Sequence, residues 1–359
     1  MSSEAVGKLS KEFWQVVATL RKSKFYTIPS IPASIEWALK INPKIKKLGE
    51  VAKKLEINRV CFVGNSGSWV PMWFAKYLLT KFSAIPSEAF YGYELACLKP
   101  EWLGQRTLVI LNSFSGESED ILASLNLARQ KGACTVAILK SADSSLGRGA
   151  DYTICYGKQA WTVTPMAIVI QFCAELASSS IELSRAVEGL ENLRFFFDQV
   201  SNSLGEAAFE AANRLVDQDC LWVLGSGPLW GMAYKTAATL VENLKLVAAA
   251  FETSEFRHGF CEIFSRQRQR PGVLVLTTQD ETYFIAQHVV RFLLEEKVAV
   301  ESIDLSVKSN LSPLLSPLLA QIFLEHFVVY LAALRGIGNL EQMTFMGTGR
   351  LALSGGAWP

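Results

Sequence analysis

The 359-residue sequence predicts an α/β fold, two doubly wound parallel-sheet domains in tandem. A strand, turn and helix pattern occurs twice, first at residues 59–82 and again at 220–246. The apolar runs in both copies are continuous rather than alternating, as expected of parallel strands covered on both faces. The length is about twice that of a typical domain.

Residues 1–50 read as an N-terminal helical arm, with Pro29 and Pro32 between two helical patterns, and it is expected to brace the first domain. Glu4, Lys8, Lys11, Glu12 and Arg21 are spread among apolar residues, a pattern of an amphipathic helix rather than a signal peptide. The first domain is expected over 51–200. Its strands are predicted at 59–64, 107–111 and 134–139, its helices at 69–82 and 118–131, and a helix-rich stretch at 166–198. The second domain, 201–340, repeats the order with strands at 220–225, 273–277 and 298–305 and helices at 230–246 and 282–296. Residues 341–359 are left as a C-terminal tail.

Composition narrows the function. The formal net charge is +1, so no broad basic field exists to hold nucleic acid by counterion release, and no nucleic-acid partner is expected. Seven isolated cysteines without a CxxC pair fit reduced thiols, and a cytoplasmic location is expected. The greasiest segment, 311–334, carries Pro313, Pro317, Glu325 and His326, so it reads as a buried helix rather than a membrane span. No His and Cys cluster suggests a metal site, and no cofactor is expected.

Two loops of the first half should bind a phosphate. Gly64-Asn65-Ser66-Gly67-Ser68 follows the first strand, and Ser113-Phe114-Ser115-Gly116-Glu117-Ser118 follows the next. Ligands of open parallel sheets sit beyond the carboxyl ends of strands, where the connections reverse. Hydroxyls and turn amides there can grip a dianion without a lysine, helped by the positive end of the helix that Ser118 begins. The competing reading makes these serines ordinary helix caps and turn residues. In the second half the matching turns are Gly225-Ser226-Gly227-Pro228 and Thr277-Thr278-Gln279-Asp280-Glu281, whose acids would repel a phosphate. One phosphate site per chain is expected.

The second half offers acid-base groups. Lys235, Thr239 and Glu242 share one face of an apolar helix, where desolvation would raise the proton affinity of Glu242. His258 lies beside Gly259 in a polar segment with Glu255 and Glu262, which are candidates to support it. A salt-bridged surface glutamate and a structural histidine are the competing readings.

Taken together, these motifs resemble tandem sugar isomerase (SIS) domain proteins over residues 46–349. The segment 113–118 looks like that family's Ser-x-Ser-Gly-Glu-Thr phosphate loop, and Leu224-Gly225-Ser226-Gly227 leading to Glu242 looks like its second-domain entry and catalytic glutamate. His258 falls on the family's ring-opening histidine. The isomerase module of glucosamine-6-phosphate synthase is one such protein, but no glutaminase segment is expected here, Thr239 replaces a family lysine, and 343–349 offers no match to the C-terminal lysine. The text 254–262 is closer to fructosamine 6-phosphate deglycases, with Phe260 in a proline position.

The resemblance implies a cofactor-independent enzyme. Gly64, Asn65, Ser66, Ser68, Ser113, Phe114, Ser115 and Ser118 would hold the phosphate, and Glu242 and His258 would move protons, releasing aldose 6-phosphate and free amine. An aldose-ketose isomerase, an amino-sugar 6-phosphate deaminase and a non-catalytic sugar-phosphate sensor remain open as alternatives. It also implies a homodimer with shared active sites.

Overall fold

The computed structural model describes all residues except 1–9, 178–179, 266–269, 307–310, 343–344 and 346–359. The chain divides into two compact units, described separately. Ser30–Phe195 belong to the first, and the second takes the described residues up to Pro29 together with those from Phe196 to Gln342.

In chain order the elements are α1 (Lys11–Leu20), α2 (Ile31–Lys40), α3 (Asn42–Lys54), β1 (Arg59–Val63), α4 (Trp69–Phe82), β2 (Ser87–Phe90), α5 (Gly92–Leu98) and β3 (Thr107–Ser113). Then follow α6 (Glu119–Gln130), β4 (Cys134–Leu139), α7 (Ser145–Gly149), β5 (Tyr152–Cys155), α8 (Val163–Leu176), α9 (Ile181–Phe195) and α10 (Phe197–Leu215). The rest are β6 (Cys220–Gly225), α11 (Trp230–Leu244), β7 (Val247–Glu252), α12 (Thr253–Phe256), β8 (Gly272–Thr277), α13 (Tyr283–Glu295), β9 (Val300–Asp304) and α14 (Ser316–Leu334).

The first unit carries a parallel sheet in the order β2-β1-β3-β4-β5, with Val63 opposite both Phe90 and Leu111. All seven residues of β3 are buried, which explains the unbroken apolar run Leu108-Val109-Ile110-Leu111 at its centre. The order reverses between β1 and β3, so the crevice for ligands falls at their carboxyl ends. The second unit repeats this plan as β7-β6-β8-β9. Its sheet packs Leu224, Val273 and Val275 against Phe256, Phe264 and Leu293.

The N-terminal arm divides rather than bracing the first domain as one piece. The apolar stripe of α1, Phe13, Val17 and Leu20, joins the second unit, where Phe13 meets Phe209 edge-on and Trp14 meets Tyr330. The buried Glu325 carboxylate holds the chain there by accepting from the amides of Thr27 and Ile28 and the Thr27 hydroxyl. Helices α2 and α3 belong instead to the first unit, where the buried Gln171 joins the Ala38 carbonyl to the Asn42 amide. A long run of α14 passes for a membrane span by length and hydropathy, yet 94% of its apolar window is buried inside the structure, as in a core helix. Of the expected tail at 341–359, only Glu341, Gln342 and Phe345 are among the described residues.

Candidate functional site

In the first unit the turns after β1 and β3 meet around a cavity of about 170 Å³. Asn65, Ser68, Asn112, Ser113, Phe114, Ser115, Ser118 and Ile121 line it. Most of the expected phosphate residues therefore converge, and two play another part. Gly64 lies where an added Cβ would come within 2.5 Å of the Ser68 carbonyl oxygen, so its lack of a side chain lets the turn fold back on β1. Ser66 is not in the lining; it takes a left-handed φ of +48° that tightens the turn.

Local bonds set the shape of the cavity. The Asn65 side chain accepts from the Gly92 amide at 3.0 Å and donates to the Asp120 carboxylate, tying the first turn to α5 and α6. Asn112 donates to the Ser68 carbonyl at 2.8 Å and locks the two turns together. In the second turn the Ser113 hydroxyl accepts from the Gly116 amide and the Ser115 hydroxyl from the Glu117 amide. Gly116 has φ +71°, and a Cβ there would meet the Ser144 hydroxyl oxygen at 2.2 Å, so glycine is required by both conformation and space.

Ser118 departs from the helix-cap reading in one respect. It stands at the N-cap of α6 in extended conformation, yet its side chain makes no capping hydrogen bond. Its hydroxyl lines the cavity at the positive end of a 12-residue helix. Ser113 and Ser115 serve the turn as acceptors, which leaves each hydroxyl proton available to an anion. Asn112, which opens the serine-rich stretch in the sequence but was not assigned as a site residue, and Ile121 complete the lining; the signal for Asn112 was a polar residue closing an apolar strand.

In the second unit Glu242 sits half-buried near the end of α11. Burial pushes its carboxyl above the usual glutamate range, with Lys245 and Lys235 pulling the other way. Lys235, on the same face of α11, is fully buried, and desolvation brings it down to about 7 against the opposing pull of Glu325 and Glu242. His258 follows α12 and is exposed, its amide donating to the Glu255 carbonyl at 3.0 Å. Glu255 and Glu262 are both exposed, and their contacts near His258 are made through the backbone.

The carboxylate that organises this segment is Glu252, which sequence reading left unassigned. It caps α12 by accepting from the Ser254 and Glu255 amides, and it also accepts from the Ser226 and Ser254 hydroxyls. Burial raises its carboxyl, but these hydrogen bonds outweigh burial and leave it below the usual range. His326 is buried and bonded to Ser201 at 3.1 Å; burial, with Arg21 adding to it, lowers it to about 4, so it stays neutral as a packing residue.

The two parallel sheets, with a polar cavity at the strand ends of the first, define a double α/β protein of the doubly wound class. Residues 57–178 match the SIS domain, and residues 205–342 match the bacterial phospho-glucose isomerase C-terminal SIS domain. The chain belongs to the tandem SIS-domain family. It is 27% identical to fructoselysine 6-phosphate deglycase of Escherichia coli, covering 81% of this chain and 86% of that protein. It is 26% identical to a fructosamine deglycase of Bacillus subtilis over 77% and 88% of the two chains. Among solved structures, the C-terminal domain of glucosamine-fructose-6-phosphate aminotransferase from Francisella tularensis superposes with a TM-score of 0.73 at 17% identity, covering 94% of this chain and 99% of that one, a likeness of fold.

Proposed function

We propose that the protein is a deglycase that cleaves fructosamine-type amino acid 6-phosphate adducts to aldose 6-phosphate and free amine. The observation that carries this reading is the cavity at the ends of β1 and β3, whose lining of hydroxyls and turn amides at a helix start suits a phosphate dianion. The likeness to deglycases over most of both chains supports this reaction within that substrate class.

On this reading the phosphate fixes the substrate, so that binding energy far from the reacting carbons positions them. His258 assists ring opening by exchanging protons with the ring oxygen and the anomeric hydroxyl. Glu242 removes a proton from carbon 1, giving an enaminol, and returns one to carbon 2, giving an imine. Water adds to the imine carbon, and the carbon–nitrogen bond breaks to release the amine and the aldose 6-phosphate. A raised proton affinity suits Glu242 to a carboxylate that must both take and give a proton. We further propose that the chain works as a homodimer, as the SIS resemblance implies, which sedimentation would check.

The test is a coupled assay for glucose 6-phosphate release across a panel of fructosamine 6-phosphates, with Glu242→Gln as control. Release from at least one adduct, lost in the variant, supports the deglycase. Turnover confined to plain hexose or hexosamine 6-phosphates would replace it with an isomerase or a deaminase, and binding without turnover would replace it with a sensor.

A further inference from the structure

The phosphate cavity has no cation in its lining, and acidic residues flank one of its lining residues in the sequence. Glu117, Glu119 and Asp120 flank Ser118 in the sequence, the last two in the first turn of α6, where they already draw on the positive end of the helix. A dianion entering here would meet the negative charge of Asp120, which is bonded to the lining residue Asn65. Hydroxyls and amides supply hydrogen bonds but no net charge to offset that repulsion.

A lysine lies over the ring of Phe114, one of the residues that line the cavity. Lys140 follows directly on β4, the neighbour of β3 in the sheet. Its amide donates to the Phe114 carbonyl at 3.3 Å, and its own carbonyl accepts from the Gly157 amide at 3.1 Å, so its backbone is pinned to the phosphate turn on one side and to the end of β5 on the other. Its Nζ lies 5.2 Å from the centre of the Phe114 ring, and Phe114 lines the cavity. That ring is 42% exposed, with Tyr156 and Trp161 each 6.5 Å away, and Trp161 packs so closely on Gly67 that an added Cβ would come within 2.7 Å of it. The aromatic wall thus joins both turns and carries the lysine along it.

We propose that Lys140 is the counter-charge for the bound phosphate, steered to the cavity edge by the Phe114 ring, so that selectivity for phosphorylated over neutral sugars depends on it. This inference rests on the phosphate reading of the cavity. The ring holds the ammonium by cation–π attraction while leaving it in water, and a phosphate in the cavity gives it a stronger partner. Lys140 is a specificity residue on this account and takes no part in proton transfer.

Calorimetric titration with glucose 6-phosphate, and with glucose as the neutral control, tests it in the wild type, Lys140→Met, Lys140→Arg and Ser115→Ala. Lys140→Met should weaken glucose 6-phosphate binding roughly tenfold, the scale of one charge-assisted hydrogen bond, and flatten its salt dependence. Lys140→Arg should bind within about twofold of wild type, since the charge is kept. Equal affinities for wild type and Lys140→Met, with Ser115→Ala weakened, would overturn the role of Lys140 and leave the phosphate cavity standing. Loss in Lys140→Arg as large as in Lys140→Met would overturn the charge role in favour of packing on Phe114. Failure of the wild type to prefer glucose 6-phosphate over glucose would remove the phosphate reading itself.

Discussion

In the first unit the turn between β3 and α6 leaves the Ser118 hydroxyl outside the helix cap, whereas in the second the matching Thr282 gives both its amide and its hydroxyl to the Asp280 carboxylate. The two residues stand at the same place, one position before the helix that follows the central strand. The first turns differ in the same sense. Ser66 and Gly227 share a left-handed backbone, φ +48° and +54°, but the neighbouring Ser226 is bonded to Glu252, while Asn65 braces the walls of an open cavity. One backbone plan has thus been finished in two ways. The first unit presents donors to an external anion, and the second satisfies its donors with its own carboxylates. On the proposed reading, the first unit binds the phosphate and the second carries proton transfer.

The largest effect should come from Glu242. Glu242→Gln is expected to lower turnover by about 10²–10⁴-fold while glucose 6-phosphate affinity stays within about twofold, because the loss falls on general acid–base work alone. A variant that loses affinity and keeps its rate would reverse the division of labour between the units.

Next comes the contrast between the two helix starts. Ser118→Ala should weaken glucose 6-phosphate binding by roughly tenfold, about the worth of a hydrogen bond to a charged group, yet change stability by less than about 0.5 kcal/mol because no cap is lost. Asp280→Ala should do the opposite, costing about 1 kcal/mol in denaturant unfolding with phosphate binding unchanged. Similar stability losses at both positions would mean that Ser118 is only a cap.

The smallest effect concerns pH. The Glu252 carboxyl titrates lower in the folded chain than unfolded, so its contribution is fully present above the unfolded value, about 4.3, and is lost as pH falls through the folded value. Thermal unfolding of wild type should lose stability on acidification below about pH 4, and Glu252→Gln should show a shallower decline over that window. Parallel profiles would show that Glu252 does not hold α12.

Much of this contrast was legible from residue order. The paired apolar runs marked β1, β3, β6 and β8 because those strands are largely buried, and the serines, glycines and acids of the turns marked where the two halves differ. The strands β2 and β7 were not marked. Ser87–Phe90 is short, and Val247–Glu252 is rich in alanine and lies at a sheet edge, so neither carries a strong strand signal. There the helix written through residue 246 ends at Leu244, because Lys245 turns left-handed with φ +55°. The roles of Lys140, Asn112 and Glu252 depend on contacts between separate elements, which spacing along one chain does not encode. The arm misled for the same reason: the stripe of α1 was visible, but its partners Phe209 and Tyr330 lie far along the chain.

The account turns on one phosphate site per chain, held by the first unit. Calorimetric stoichiometry for glucose 6-phosphate tests this most directly, measured on the wild type and on Ser113→Ala/Ser115→Ala. One site per chain in the wild type, with affinity reduced at least tenfold in the double variant, is the predicted result. Two sites per chain, or full affinity without both hydroxyls, would contradict it.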